Sequence, residues 1–463
     1  MFNQGKKTAR REPLAQRLGP HWMVALGFLA AILTGSVLLL LPAASPSGQW
    51  MPPLTALFTA TSATCVTGLT VIDISSELTL FGQIVVLSLI QIGGLGITTF
   101  GTFLLVLVGR RLSVQSEFVL MDAYGVDEVN GLRALLLWTV AFTLFFEGIG
   151  TLLLWTRYAE SGILSSGRAL YFAAFHAVSA FCNAGFSLHP DSLVSFRHDP
   201  LYLATVCSLI VCGGLGFLVL YNIVTIKFWR RNLKTRGRIS LHTRIVLATT
   251  LLLILLGTFL FGLHEWSNTL NGLPLRDKLA NAVFHSVTAR TAGFNSVPMG
   301  AIRELTRFTT TLLMFVGGSP GSSAGGVKTT TVVVLFMTII SMCKNRRETV
   351  VFSRTLPNAI VREAIVIFLL AIFMILTAYG VLLWTEFPKM TGDASKLFFE
   401  TVSAFATVGL SIDHTHTLSG AGRCVIIVCM FVGRLGPLAV ALMIGNRDEL
   451  QRIRYPQEEV VVG

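Results

Sequence analysis

Four short stretches decide the fold: Thr64-Cys65-Val66-Thr67-Gly68, Cys182-Asn183-Ala184-Gly185, Arg290-Thr291-Ala292-Gly293 and Ala406-Thr407-Val408-Gly409. Each follows a Phe-x-x-x-Ser/Thr-Ala pattern, carried by Phe58, Ser62 and Ala63, by Phe175, Ser179 and Ala180, by Phe284, Thr288 and Ala289, and by Phe399, Ser403 and Ala404. Successive glycines lie 117, 108 and 116 residues apart, so one unit is repeated four times.

Around each stretch the apolar pattern is the same. A segment of roughly ten residues, near 54–63, 170–180, 279–289 and 397–404, is too short at 1.5 Å per residue to cross about 30 Å of hydrocarbon. It sits between two long apolar runs, which fall near 22–41 and 80–108, 132–155 and 201–226, 245–263 and 308–340, and 364–384 and 424–444. The expected architecture is an all-α polytopic membrane protein of eight transmembrane helices and four half-helices. It forms four tandem helix–pore-loop–helix repeats arranged pseudo-fourfold around a central pore. The repeats span 22–108, 132–226, 245–340 and 364–445, joined by linkers 109–131, 227–244 and 341–363 and flanked by tails 1–21 and 446–463.

Composition agrees. Of 463 residues, 53% are hydrophobic and 13% charged, against about a quarter charged in a soluble domain, which excludes an ordinary soluble fold. The seven cysteines have neither disulfide-framework nor metal-ligand spacing. The run from Trp22 to Leu41 follows a basic stretch but is too long for a signal peptide, so it is expected to be a retained helix. With the half-helices on one side of the bilayer, the tails and the stretches 109–133, 227–244 and 341–362 on the other carry 23 Lys and Arg against 11. The positive-inside rule then makes both termini cytoplasmic in a multi-pass inner-membrane protein. The basic linker around Lys227, Arg230, Arg231, Lys234, Arg236 and Arg238 is explained by anionic lipid or a cytoplasmic partner, without nucleic acid.

Non-helical backbone at membrane depth must be buried in protein or line a water path. Four such loops from four equivalent units fit a pore in which glycine turns carbonyls inward and Thr and Val pack behind, so that the carbonyls replace water around a bare cation.

The arrangement resembles the KtrB/TrkH superfamily of potassium transporters over essentially the whole chain. The resemblance is carried by the first loop Thr64–Gly68, Asn183-Ala184-Gly185-Phe186, Arg290 to Asn295, and Ala406-Thr407-Val408-Gly409-Leu410. It is most like the KtrB membrane subunit, because TrkH has an added helix pair ahead of the first repeat. The resemblance implies potassium uptake, often sodium-dependent, by a homodimer seated on a cytoplasmic RCK-type nucleotide-binding ring like KtrA. ATP or ADP is expected only on that partner, with no cofactor in this chain. The filter residues are then Thr64, Cys65, Val66, Thr67, Gly68, Cys182, Asn183, Ala184, Gly185, Thr291, Ala292, Gly293, Thr407, Val408 and Gly409.

Loop three is one residue shorter than the others between the motif alanine and the glycine. Its Arg290 is expected behind the loop, donating to carbonyls, or else snorkelling at the outer rim. The run Gly317-Gly318-Ser319-Pro320-Gly321-Ser322-Ser323-Ala324-Gly325-Gly326 cannot hold an ordinary helix. Flanked by apolar residues, it is expected to be an intramembrane gate loop facing the water path. Arg434 interrupts the last span about 15 Å from its end, too deep for easy snorkelling, and is expected to face the pore, bond the gate loop and repel cations. Lys328 either does the same or reaches the cytoplasmic surface.

An enzyme is not expected: there is no His-Glu-x-x-His or Walker loop, and no nucleophile elbow is foreseen. His176 and His285 recur at one repeat position and are read as rings packed around the half-helices. The alternatives are a TrkH-like or sodium transporter, or a secondary transporter of another small solute, which would call for inverted repeats.

Overall fold

The computed structural model describes residues 20–96, 129–162, 165–228, 239–346, 348–386 and 393–444. The tails and the linker 109–128 therefore lie outside the described residues, as does the basic linker at 229–238.

Within each repeat a first helix, a half-helix and a second helix follow in order. Repeat one has Pro20–Leu40, Pro53–Thr64 and Leu80–Leu95. Repeat two has Val129–Ser161, Ser166–Phe181 and Pro200–Leu215. Repeat three has Leu241–Glu265, Leu275–Thr288 and Glu304–Phe315, and repeat four has Asn358–Glu386, Ala394–Phe405 and Gly420–Leu435. Each second helix packs against the half-helix of the next repeat, and that of repeat four against the half-helix of repeat one, so the four units close a ring.

The second helices start with side-chain caps: Thr79 accepts from Gly82 N, Asp199 from Leu201 and Tyr202 N, and Ser419 from Gly422 N. In repeats three and four a buried glutamate at the end of the first helix supports the same turn, Glu265 accepting from Arg303 N (2.9 Å) and Glu386 from Ser419 N (3.0 Å).

Among the described residues four helices are long and apolar enough to cross a bilayer, and up to six if each bent pair is one span. Their outer faces expose large apolar side chains such as Leu144, Phe145, Leu252, Phe259, Phe373 and Trp384, the surface expected against lipid rather than water.

The break in the sixth span was expected; it has company. The second helix of repeat two bends by 94° between Leu215 and Phe217, and that of repeat four by 95° between Leu435 and Pro437. The residue at the bend is Gly216 or Gly436, each at φ +90°, and Gly96 ends the second helix of repeat one at φ +81°. Apolar residues continue on both sides of each bend, which is why hydropathy reads the pairs as single runs. A short antiparallel hairpin, Val350–Val351 with Arg354–Thr355, occupies the linker before repeat four, an element the sequence reading did not foresee.

Candidate functional site: a ring of four glycine loops

The Phe-x-x-x-Ser/Thr pattern has a local purpose. Its hydroxyl reaches past the end of the half-helix to pin the loop that follows. Ser179 donates to Phe186 O (2.8 Å), Thr288 to Phe294 O (2.7 Å) and Ser403 to Leu410 O (2.7 Å), while Ser62 accepts from Gly68 N (3.1 Å). The backbone repeats as well: Val66, Asn183, Thr291 and Thr407, each two residues before a loop glycine, have φ of +57°, +60°, +77° and +50°. That geometry is uncommon for L residues. Its recurrence also aligns loop three on its glycine, despite the missing residue.

The four loops meet. Gly68, Gly185, Gly293 and Gly409 all have positive φ, and each faces the carbonyl that precedes the glycine of the next loop. A β-carbon on Gly68 would lie 2.5 Å from Ala184 O, on Gly185 2.7 Å from Ala292 O, on Gly293 2.5 Å from Val408 O, and on Gly409 2.0 Å from Thr67 O. The chain of contacts runs through all four repeats and returns to the first. All four glycines open into one cavity of about 630 Å³, whose lining among the described residues includes the carboxylates Asp73, Glu77, Asp191 and Asp413 and no Lys or Arg.

Side chains of the loops divide into two sets. Val66 and Val408 lie in apolar clusters. Cys182 Sγ faces the first helix, 3.8 Å from Glu147 Oε1. Asn183, its amide oriented by the acceptors around it, donates to Ala180 O and Ile210 O. Cys65, Ala184 and Ala292 are buried. By contrast the hydroxyls of Thr64, Thr67, Thr291 and Thr407 are buried and have no hydrogen-bond partner among the described residues. Arg290 is buried and turned to the first helix of its own repeat, donating to Thr250 O (3.3 Å) and Thr250 Oγ1 (3.4 Å).

Residues 316–328 lie on the other side of the ring. The neck is closed by Gly317 N donating to Val327 O (2.9 Å) and Thr329 N to Gly318 O (3.1 Å), and the loop docks on the bend of repeat two through Ser319 N to Gly214 O (3.1 Å) and Phe217 N to Gly321 O (3.0 Å). A β-carbon on Gly325 would fall 2.1 Å from Thr407 Oγ1, so the loop touches the fourth stretch at the end away from the acidic cavity. Arg434 donates to Ser323 O in this loop and to Gly93 O in the second helix of repeat one. Lys328 Nζ bonds Ala324 O at 2.6 Å. Gly317-Gly318-Ser319-Pro320-Gly321 does spell Gly-x-Ser-x-Gly, which corrects the expectation that no such motif occurs. Among the described residues the hydrogen-bond partner of Ser319 Oγ is Thr329 Oγ1 (3.3 Å), a hydroxyl and not the base that would activate a nucleophile.

A second repeated signal, present in three of the four units, lies in the second helices. Gly93-Gly94-Leu95-Gly96, Gly213-Gly214-Leu215-Gly216 and Gly433-Arg434-Leu435-Gly436 hold one place in three repeats. The first glycine of each lies against the end of its own half-helix: β-carbons there would sit 2.0, 1.9 and 1.8 Å from the carbonyls of Thr64, Phe181 and Phe405. Arg434 thus stands where the other two repeats have Gly94 and Gly214.

The chain matches the TrkH family, described as a cation transport protein, over residues 22–451. It is 38% identical to Ktr system potassium uptake protein B of Bacillus subtilis over 96% of this chain and 97% of that one. It is 39% identical to the protein of the same name from Vibrio alginolyticus, over 96% and 95%, and 35% identical to the potassium/sodium uptake protein NtpJ of Enterococcus hirae, over 98% and 100%. The crystal structure of the potassium transporter TrkH from Vibrio parahaemolyticus shares the fold, with a TM-score of 0.70 at 18% identity over 96% of this chain and 87% of that one. The chain belongs to the TrkH family of cation transport proteins.

Proposed function

We propose that the protein takes up potassium across the cytoplasmic membrane, with the ring of glycine loops as its selectivity filter. The observation that carries this reading is the closed circuit of contacts from Gly68 to Gly185, Gly293, Gly409 and back. A cation must shed water to pass so narrow a ring, and inward carbonyls replace that water. Buried hydroxyls are nearly always paired, and the unpaired ones of Thr64, Thr67, Thr291 and Thr407 supply further oxygens beside the path. The acidic cavity on one side concentrates cations ahead of the ring.

On the inner side, residues 317–326 act as the gate and Arg434 as its latch. The guanidinium ties the loop to repeat one, and its charge on the path costs a passing cation about 2 kcal/mol at 8 Å and an effective dielectric of about 20. Lys328 holds the loop's own backbone. Arg290 supports loop three from behind. Sodium dependence, a homodimer and a cytoplasmic RCK-type partner are part of the proposal as what the resemblance to the KtrB/TrkH superfamily implies, and cytoplasmic termini as what the Lys and Arg distribution supports.

The test is uptake in cells lacking other potassium systems, with and without sodium and with and without an RCK subunit. Growth rescue at low potassium supports the proposal. No uptake with both subunits in the membrane overturns it, and rescue of sodium rather than potassium uptake favours the sodium reading, for which the name of NtpJ is the supporting observation.

A further inference from the structure

The residue that follows the motif phenylalanine is Thr59, His176, His285 or Glu400 in the four repeats, and all four are buried. Two of them reach the same place. Glu400 is fully enclosed. It accepts from Ser411 Oγ and from Thr415 Oγ1 (2.9 Å), and those two hydroxyls lie 3.0 Å apart. His176 Nδ1 faces Phe172 O at 2.7 Å, which assigns its proton there. Its Nε2 is thereby left to meet Ser187 Oγ (3.0 Å) and Leu188 N (3.4 Å). Ser411 and Ser187 each stand two residues beyond a loop glycine.

In the other two repeats the corresponding side chains do something else. His285 turns to Thr310 Oγ1 (2.9 Å) on the second helix and stacks on Phe261. Thr59 Oγ1 has no partner among the described residues. Because the ring runs one, two, three, four, the tethered loops two and four face each other across the axis.

We propose that Glu400 and His176 are positioning residues that hold the outer ends of loops four and two through Ser411 and Ser187, and that this twofold restraint on a fourfold ring sets the choice between potassium and smaller cations. The inference rests on the filter reading above. A sodium ion is satisfied only if the carbonyls close in on it, and a loop fastened from behind by buried hydrogen bonds resists that closure. Loops one and three keep the motif hydroxyl but lack this additional tie from the half-helix residue after the phenylalanine, which leaves the ring enough freedom to pass a larger ion.

The test measures potassium and sodium uptake by the full-length protein in cells lacking their own potassium uptake, with membrane abundance and gel filtration reporting folding. Glu400→Ala and Ser411→Ala are expected to lower the ratio of the sodium KM to the potassium KM about tenfold, the worth of one hydrogen bond to a charged group. Maximal potassium uptake per folded molecule should stay close to the original. The double variant should fall no further than either single one, Glu400→Gln, which keeps one accepting oxygen, should recover part of the ratio, and Thr59→Ala should leave it unchanged. Gly409→Ser separates the two readings. If it lowers the ratio while folded Glu400→Ala and Ser411→Ala do not, the tether is refuted and the filter stands. If it too leaves the ratio unchanged, the filter reading fails and the tether with it. Should Glu400→Ala not fold, Ser411→Ala, which removes a single oxygen, decides the matter alone.

Discussion

Replacing the loop glycines by alanine one at a time should damage the ring in a set order. All four have positive φ, between +70° and +92°, so each alanine carries a similar backbone penalty of about 1–2 kcal/mol. The steric part differs. Real β-carbons essentially never approach a heavy atom within 3.0 Å, and the new β-carbon would stand 2.0 Å from Thr67 O in Gly409→Ala, 2.5 Å from Ala184 O in Gly68→Ala, 2.5 Å from Val408 O in Gly293→Ala and 2.7 Å from Ala292 O in Gly185→Ala. The facing carbonyl must therefore retreat by at least 1.0, 0.5, 0.5 and 0.3 Å in that order. Displacement of a coordinating oxygen by about 1 Å is expected to cost on the order of 100-fold, as such misplacement does in other preorganised sites. The assay is the potassium KM and the potassium-over-sodium ratio in uptake-deficient cells, normalised to folded protein. Gly409→Ala should be worst, Gly68→Ala and Gly293→Ala intermediate, and Gly185→Ala mildest. Equal effects in all four, or Gly185→Ala the worst, would refute the reasoning that these carbonyls meet the ion.

Three more outcomes are expected. Arg434→Ala removes two charge-assisted bonds between the intramembrane loop and its surroundings and should raise potassium flux through folded protein by tenfold or more; unchanged or lower flux speaks against the latch. Gly213→Ala would set a β-carbon 1.9 Å from Phe181 O and should lower thermal stability in detergent, whereas Gly148→Ala, with open space at its β-position, should not; similar melting curves for the two would contradict the packing described. Asp393, outside the spans, donates nothing but accepts from Ser395 and from Arg307 (2.7 Å), and these hold its carboxyl below the ordinary value of 3.8. Its stabilisation is present above that value and lost as pH falls through the lower folded one. The melting temperature of the original should thus exceed that of Asp393→Asn, by about 1 °C for a partly exposed pair, at neutral pH, and the gap should close below pH 3.8. A gap that widens in acid has the wrong sign.

Much of this was legible in residue order because the repeat is written in small, chemically demanding positions. A glycine at positive φ and a hydroxyl six or five residues before it leave few substitutes, so the four loops can be found by spacing alone. The Gly-rich run at 317–326 was equally readable, since no apolar helix tolerates that composition. The bends at Gly216 and Gly436 were not, because hydropathy is blind to direction and Leu, Val and Phe continue past each turn. Pro437 directly after Gly436 was a usable signal. Arg434 was noticed as a charge in a span, but its equivalence to Gly94 and Gly214 needed the second motif to be aligned. The role of Glu400 was not legible beside the histidines at its repeat position, because what matters there is an acceptor on the half-helix that faces the serine two residues beyond the loop glycine. The acceptor of Arg290, a helix backbone in its own repeat, depends on tertiary contacts that local patterning does not encode.

The most direct measurement is a structure of the protein determined with thallium or rubidium in place of potassium. The account predicts ion density on the axis enclosed by Gly68, Gly185, Gly293 and Gly409, within coordinating distance of the carbonyls of Thr67, Ala184, Ala292 and Val408. Ions absent from that axis, or the four stretches found apart with side chains filling the space between them, would contradict it.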